Sequence, residues 1–157
     1  MSVIVTDQMQ EQGSVLYRWY VVGVLTFAYL VSFLDRQILA LMVEPIQQDL
    51  MLIDTQMSLL MGLAFSLFYV FMAVPLGRLA DHTVRRNIIV GGVTLWSIMT
   101  AACGLAGSYW HLFLARMGVG VGEASLTPSA TSMIADYFPP GVRGKALATY
   151  NAGVSLG

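Results

Sequence analysis

From Thr55 to Gly77 the chain runs for 23 residues without one charged side chain. A helix needs about 20 predominantly apolar residues to cross the hydrocarbon core of a bilayer. In a soluble domain such a run would be a helix that is apolar all round, with no face to turn to water. The pattern recurs along the chain. Trp19–Val43 is interrupted only by Asp35, Arg36 and Gln37. Asn87–Ala115 lacks Asp, Glu, Lys and Arg, and is too long for one crossing. It breaks naturally at Gly107-Ser108, where Tyr109 and Trp110 supply interfacial aromatics.

Spans are therefore expected over 19–43, 55–77, 87–106 and 110–137, the last with Pro128 in mid-helix, and a fifth run opens at 146. The predicted fold class is an all-α polytopic membrane protein with four complete transmembrane helices plus the start of a fifth. A helix cut inside the bilayer leaves carbonyls unsatisfied, at a cost of several kcal/mol per group. The chain is accordingly expected to be the front part of a longer protein, the alternative being an intact small four-helix protein.

Composition narrows the function classes. The chain is 57% hydrophobic and 11% charged, with a mean hydropathy of +0.70; soluble domains carry about 25% charged residues. Eight Lys and Arg at a net charge of −1 make no phosphate-tracking surface, so no nucleic acid is expected as a partner. Cys103 is the single cysteine, which rules out an intrachain disulfide and a thiolate metal site. No metal and no cofactor are expected. Residues 1–16 are polar and slightly acidic, without the basic start of a signal peptide, and are expected as a short solvated tail ahead of the membrane part, 17–157.

Sidedness follows from Lys and Arg in the short connections. Arg78, Arg85 and Arg86 follow the second span; Arg143 and Lys145 follow the fourth; Arg18 precedes the first. The link after the first span holds Glu44, Asp49 and Asp54 with no basic residue. The N-terminus and the 2–3 and 4–5 links are expected in the cytoplasm, in what would be a bacterial inner membrane. His82 and His111 then fall on opposite sides and cannot share a site. With no nucleophile beside a base, an enzyme is not expected.

Four charges remain inside the spans: Asp35 and Arg36 in the first, Arg116 and Glu123 in the fourth. An ionised side chain at mid-bilayer costs about 3 kcal/mol on insertion scales, so four without partners would cost on the order of 10. Arg116 and Glu123 are seven residues apart, about 20° short of two turns, and share a face with roughly 10 Å of rise between them. Asp35 and Arg36 lie at intermediate depth, so Asp35 with Arg116 and Arg36 with Glu123 become possible pairs. Two readings stay open: an ion-pair network that sets helix register, or a watery path and proton relay.

The fourth span also carries RMGVGVGEA (116–124). Its glycines miss the dinucleotide fingerprint: from Gly118 the third position falls on Glu123, from Gly120 on Ser125. Gly118 and Gly122 with Ser125 form a small-residue face of the kind that lets a neighbouring helix approach closely, and Gly120 is grouped with them as a packing residue.

The 2–3 loop, GRLADHTVRRN (77–87), resembles the cytoplasmic motif of the major facilitator superfamily of secondary transporters. Gly77, Leu79, Ala80, Asp81, Arg85 and Arg86 match it, whereas His82 and Val84 replace the usual basic residue and glycine. Arg116, Gly120 and Gly122 meet the superfamily's fourth-helix pattern. FLDRQIL (33–39), EPIQQDL (44–50), GVGEA (120–124) and DYFPPGVRGKA (136–146) look similar to the Spinster-like transporters. The organic anion:cation symporters share a similar Asp-Arg and a Glu-Ala-x-x-x-Pro.

The resemblance implies two six-helix halves around a central site, each half made of two inverted three-helix repeats, the second half lying outside this chain. It also implies alternating access coupled to a proton, with Asp35 and Glu123 as protonatable carboxylates. Arg36 and Arg116 would be their partners, Arg116 alternatively holding an anionic head group. Gly77, Asp81 and Arg85 would belong to a cytoplasmic latch, with Asp136 placed to pair with Arg85 and Arg143 a further member. The implied cargo is a lipid-like or amphipathic organic anion, or a sugar acid under the second likeness. A non-transport alternative is a truncated membrane scaffold.

Overall fold

The computed structural model describes the backbone of residues 2–156 and the side chains of residues 15–153. The described residues are helical with short connections. Helix α1 spans Ser2–Leu41, so residues expected as a tail continue into the first crossing; its membrane-length apolar part is Val15–Leu41. A short α2 (Val43–Asp49) follows. Met51, exposed and in the left-handed region at φ 50°, turns the chain toward the second crossing.

That crossing is α3 (Asp54–Ser58), a π-helical turn (Leu59–Leu63) and α4 (Ala64–His82), together Asp54–His82. The stretch expected as a loop from Gly77 is helical through His82. Leu79 and Ala80 favour helix, and nothing breaks the ladder until Thr83, whose backbone is extended. Only Thr83 and Val84 separate α4 from α5 (Arg85–Gly104). Among the described residues, three stretches, ending at Leu41, His82 and Gly104, are long and apolar enough to cross a membrane.

The expected fourth crossing is divided into α6 (Tyr109–Ala124) and α7 (Leu126–Tyr137), joined at Ser125. Pro128 explains the break. It has no N–H for the carbonyl four residues earlier, that of Ala124, and its ring crowds that oxygen. Ala124 is accordingly the last residue of α6, and Pro128 sits in the first turn of α7, where a missing N–H removes no bond. Ser125 helps close the end of α6 by donating its hydroxyl to the Gly122 carbonyl at 2.8 Å. Helix α8 runs Pro140–Leu156, six residues ahead of the expected start at 146.

Two packing units emerge. One takes residues up to Phe33 together with those from Met133; the other is Leu34–Ser132. In the first, Tyr29 stacks on Tyr150 at 4.9 Å and Trp19 meets the edge of Phe138 at 5.3 Å. Gly153 of α8 lies against the Thr26 carbonyl of α1, where a Cβ would come within 2.9 Å. In the second, α6 packs against both α4 and α5. Its apolar centre is Phe65, Trp96 and Val119, with a further cluster of Met57, Leu60 and Leu112.

Candidate functional site

The second unit contains all four intramembrane charges. Asp35 and Arg36 lie in the last two turns of α1, and α6 presents Arg116 and Glu123 two turns apart. Arg36 Nη2 lies 2.8 Å from Glu123 Oε2, and Arg36 Nε donates to the same oxygen at 3.0 Å. Arg116 Nη1 stands 3.8 Å from Asp35 Oδ2. The pairing argued from helix depth is the pairing observed.

The two pairs differ in tightness and burial. The Glu123 side chain is 1% exposed and its partner Arg36 37%; Arg116 is 5% exposed and its partner Asp35 18%. Each pair therefore joins a buried member on α6 to a more open one on α1. The first pair is at charge-assisted hydrogen-bond distance, whereas the second is a Coulombic contact only. Thr100 of α5 adds a hydroxyl that donates to Asp35 Oδ2 at 3.5 Å. Arg116 Nε is buried and has no hydrogen-bond partner among the described residues.

Aromatic rings from α4 complete the site. The Arg36 guanidinium sits 5.1 Å from the Phe65 ring centroid and 5.8 Å from that of Tyr69; the Arg116 guanidinium sits 5.3 Å from Phe65. These distances are within cation–π range. Phe65, Tyr69 and Thr100 carry no charge and escaped sequence reasoning, and Phe65 lies just beyond a π-helical turn that no local motif announces.

Beside the pairs lies a cavity of about 310 Å³, whose lining includes Asp35, Thr100, Cys103 and Arg116 together with Met42, Ile46 and Asp49. No group of three His, Cys, Asp or Glu among the described residues could hold a metal ion.

The glycines of α6 face two ways. A Cβ on Gly122 would meet Trp96 N at 2.7 Å and Gly92 O at 2.8 Å, and one on Gly118 would meet the Met99 side chain at 2.5 Å. Both point to α5. A Cβ on Gly120 would meet the Phe65 carbonyl of α4 at 2.8 Å. Gly77 is in van der Waals reach of Pro128, at 3.6 Å from its Cβ.

The remaining motif residues are spread over both units. Gly77 and Asp81 occupy the last turns of α4, and Arg85 and Arg86 open α5. Asp136 belongs to the first unit, where it lines a cavity of about 270 Å³ with Tyr17, Arg18 and Tyr137. Arg143 of α8 donates from Nη2 to the Ala135 carbonyl at 2.7 Å.

Comparison with known proteins shows the family. The chain belongs to the Major Facilitator Superfamily, whose family model matches residues 25–157. It is 44% identical to a bacterial homologue of the human lysosomal transporter Spinster, whose crystal structure in an inward-facing, unoccupied conformation superposes with a TM-score of 0.86. The match covers 89% of this chain and 29% of that one. Among curated relatives, an MFS-type efflux pump of Mycolicibacterium smegmatis is 35% identical over 155 residues, covering 99% of this chain and 36% of the relative. A probable L-galactonate transporter of Escherichia coli is 32% identical, covering 85% and 29%, and the human protein spinster homolog 1 is 30% identical, covering 87% and 26%. The chain spans about a third of the length of these relatives.

Proposed function

We propose that the whole protein is a proton-coupled, alternating-access secondary transporter of Spinster type, carrying a lipid-like or amphipathic organic anion. The observation that carries this reading is the pair of crossed ion pairs, each joining one acid and one base on different helices. In general an arginine beside a carboxylate favours the ionised form, and withdrawing the arginine favours proton uptake. A helix movement that lengthens either N···O distance therefore releases affinity for a proton, and protonation in turn frees the helices to move. Asp35 and Glu123 are the proton carriers in this scheme, and Arg36 and Arg116 are their switches. Arg116 alternatively binds an anionic head group.

A cytoplasmic latch belongs to the same proposal. Asp81, Arg85, Arg86, Asp136 and Arg143 would steady one end state through interfacial pairs of about 1 kcal/mol or less each, with Gly77 in the same motif. That is enough to bias two nearly isoenergetic conformations. The N-terminus lies in the cytoplasm, and the membrane is a bacterial inner membrane.

The relatives support a second reading of the cargo. Several are named as galactonate, galacturonate or hexuronate transporters, at 28–32% identity, so a sugar acid is the competing substrate class. The test is transport by the full-length protein in vesicles with an imposed pH gradient, with lysolipid and hexuronate offered separately. Asp35→Asn and Glu123→Gln are each expected to lose gradient-driven transport. Undiminished gradient-driven transport in both variants would overturn the proton scheme. Uptake of the hexuronate with none of the lysolipid would replace the cargo.

A further inference from the structure

The Phe65 ring lies within cation–π reach of both arginines. Its centroid lies 5.1 Å from the Arg36 guanidinium and 5.3 Å from that of Arg116, one member of each ion pair. The ring is 8% exposed, packed with Trp96 and Val119 and stacked on Tyr69 at 5.6 Å. Its backbone is equally constrained: the Phe65 carbonyl lies where a Cβ on residue 120 would stand, so only glycine there permits the approach. The π-helical turn at Leu59–Leu63 immediately precedes this segment. Such turns insert a residue, re-aim the helix face beyond them and are frequent at functional sites.

We propose that Phe65 is a positioning residue of the switch, the common seat that holds whichever guanidinium loses its carboxylate when a proton arrives. The inference rests on the proton-coupled reading above. When Asp35 or Glu123 takes a proton on a carboxylate oxygen, its negative charge disappears while the arginine stays cationic. The negative face of the ring attracts a bare cation more than one already compensated by a carboxylate. Phe65 therefore favours the protonated state and keeps the released arginine from moving away. Arg116 depends on it most, with its loose 3.8 Å pair and its buried Nε. The charged and titratable groups around the ring are Asp35 and Arg36 from α1, Tyr69 from α4, Cys103 from α5, and Arg116 and Glu123 from α6.

The test keeps the shape of the side chain and changes only its electrostatics. Mono-, di- and trifluorophenylalanine are incorporated at position 65 of the full-length protein, and transport is measured against pH in vesicles. Each fluorine weakens the negative face, so the pH midpoint is expected to move stepwise to lower pH. The total shift is about 0.7 of a pH unit, equivalent to ~1 kcal/mol of lost cation–π attraction. Phe65→Tyr, which retains a ring, should keep the wild-type midpoint, and Phe65→Leu should show the acid shift. A midpoint unmoved along the fluorinated series would overturn the proposal, even if Phe65→Leu slows transport, because packing alone would then explain the residue. A wild-type protein indifferent to pH would instead sink the proton-coupled reading, and this inference with it.

Discussion

Helix α6 has two faces that solve opposite problems. Advancing about 100° per residue, Arg116, Gly120 and Glu123 fall on one side, toward α1 and α4. Gly118 and Gly122 fall on the other, toward α5. On the glycine side two backbones close until the Gly92 carbonyl and the Trp96 amide occupy the places a Cβ would need. On the charged side Gly120 admits the Phe65 carbonyl of α4, and the helix buries Arg116 and Glu123 against partners from α1. The first face gains stability from dispersion and close approach, the terms that hold membrane helices together where no hydrophobic drive exists. The second gains little: a buried ion pair roughly breaks even against its desolvation cost. The glycine face serves the fold, and the charged face holds the residues that the proposed mechanism uses.

That contrast can be broken most sharply at Arg36. Arg36→Ala leaves Glu123, 1% exposed, without the arginine that donates to it. It is expected to cost about 3 kcal/mol, the lower end for a broken buried pair because Arg36 is partly open. Thermal unfolding in detergent reads the loss. The double variant Arg36→Met with Glu123→Leu removes both charges and should return to within about 1 kcal/mol of wild type while gradient-driven transport stays lost. A double variant as unstable as Arg36→Ala would mean that the charged face also holds the fold.

Next in size is Gly122→Ala. Its new methyl meets backbone atoms of Trp96 and Gly92, which cannot rotate aside, so α5 and α6 must separate at a cost of about 2 kcal/mol. Unlike the charge substitutions, it should lower the unfolding temperature without moving the pH midpoint of transport. Gly118→Ala meets only the flexible Met99 side chain and should cost about 1 kcal/mol or less. Gly91→Ala, with nothing within 4 Å of the added carbon, should stay within about 0.5 kcal/mol of wild type. Equal costs at positions 91, 118 and 122 would refute the view that close approach, rather than glycine as such, matters on this face.

Much of this was legible along the chain. Uncharged runs announced helices over 55–77 and 87–106, because length and hydropathy are local quantities. The shared face of Arg116 and Glu123 followed from periodicity within one helix. The helical ending of α4 through His82 was misread as loop because a motif with charged residues reads as solvent-exposed whether or not it is coiled. The break at Ser125 had its signal in Pro128, whose lost bond to Ala124 marks the boundary.

Thus the sequence by itself determined an all-α chain of membrane-length helices with four charges confined to two of them, since burying an ion in an apolar run is too costly to be incidental. Only the tertiary structure decided that Arg36 takes Glu123 closely while Arg116 takes Asp35 loosely, and that one ring on α4 serves both arginines. Those outcomes depend on which helices pack together and how each is rotated about its axis. Rotation here is decided where Gly120 admits the Phe65 carbonyl and Gly122 admits the α5 backbone, contacts between residues dozens of positions apart that no local pattern records.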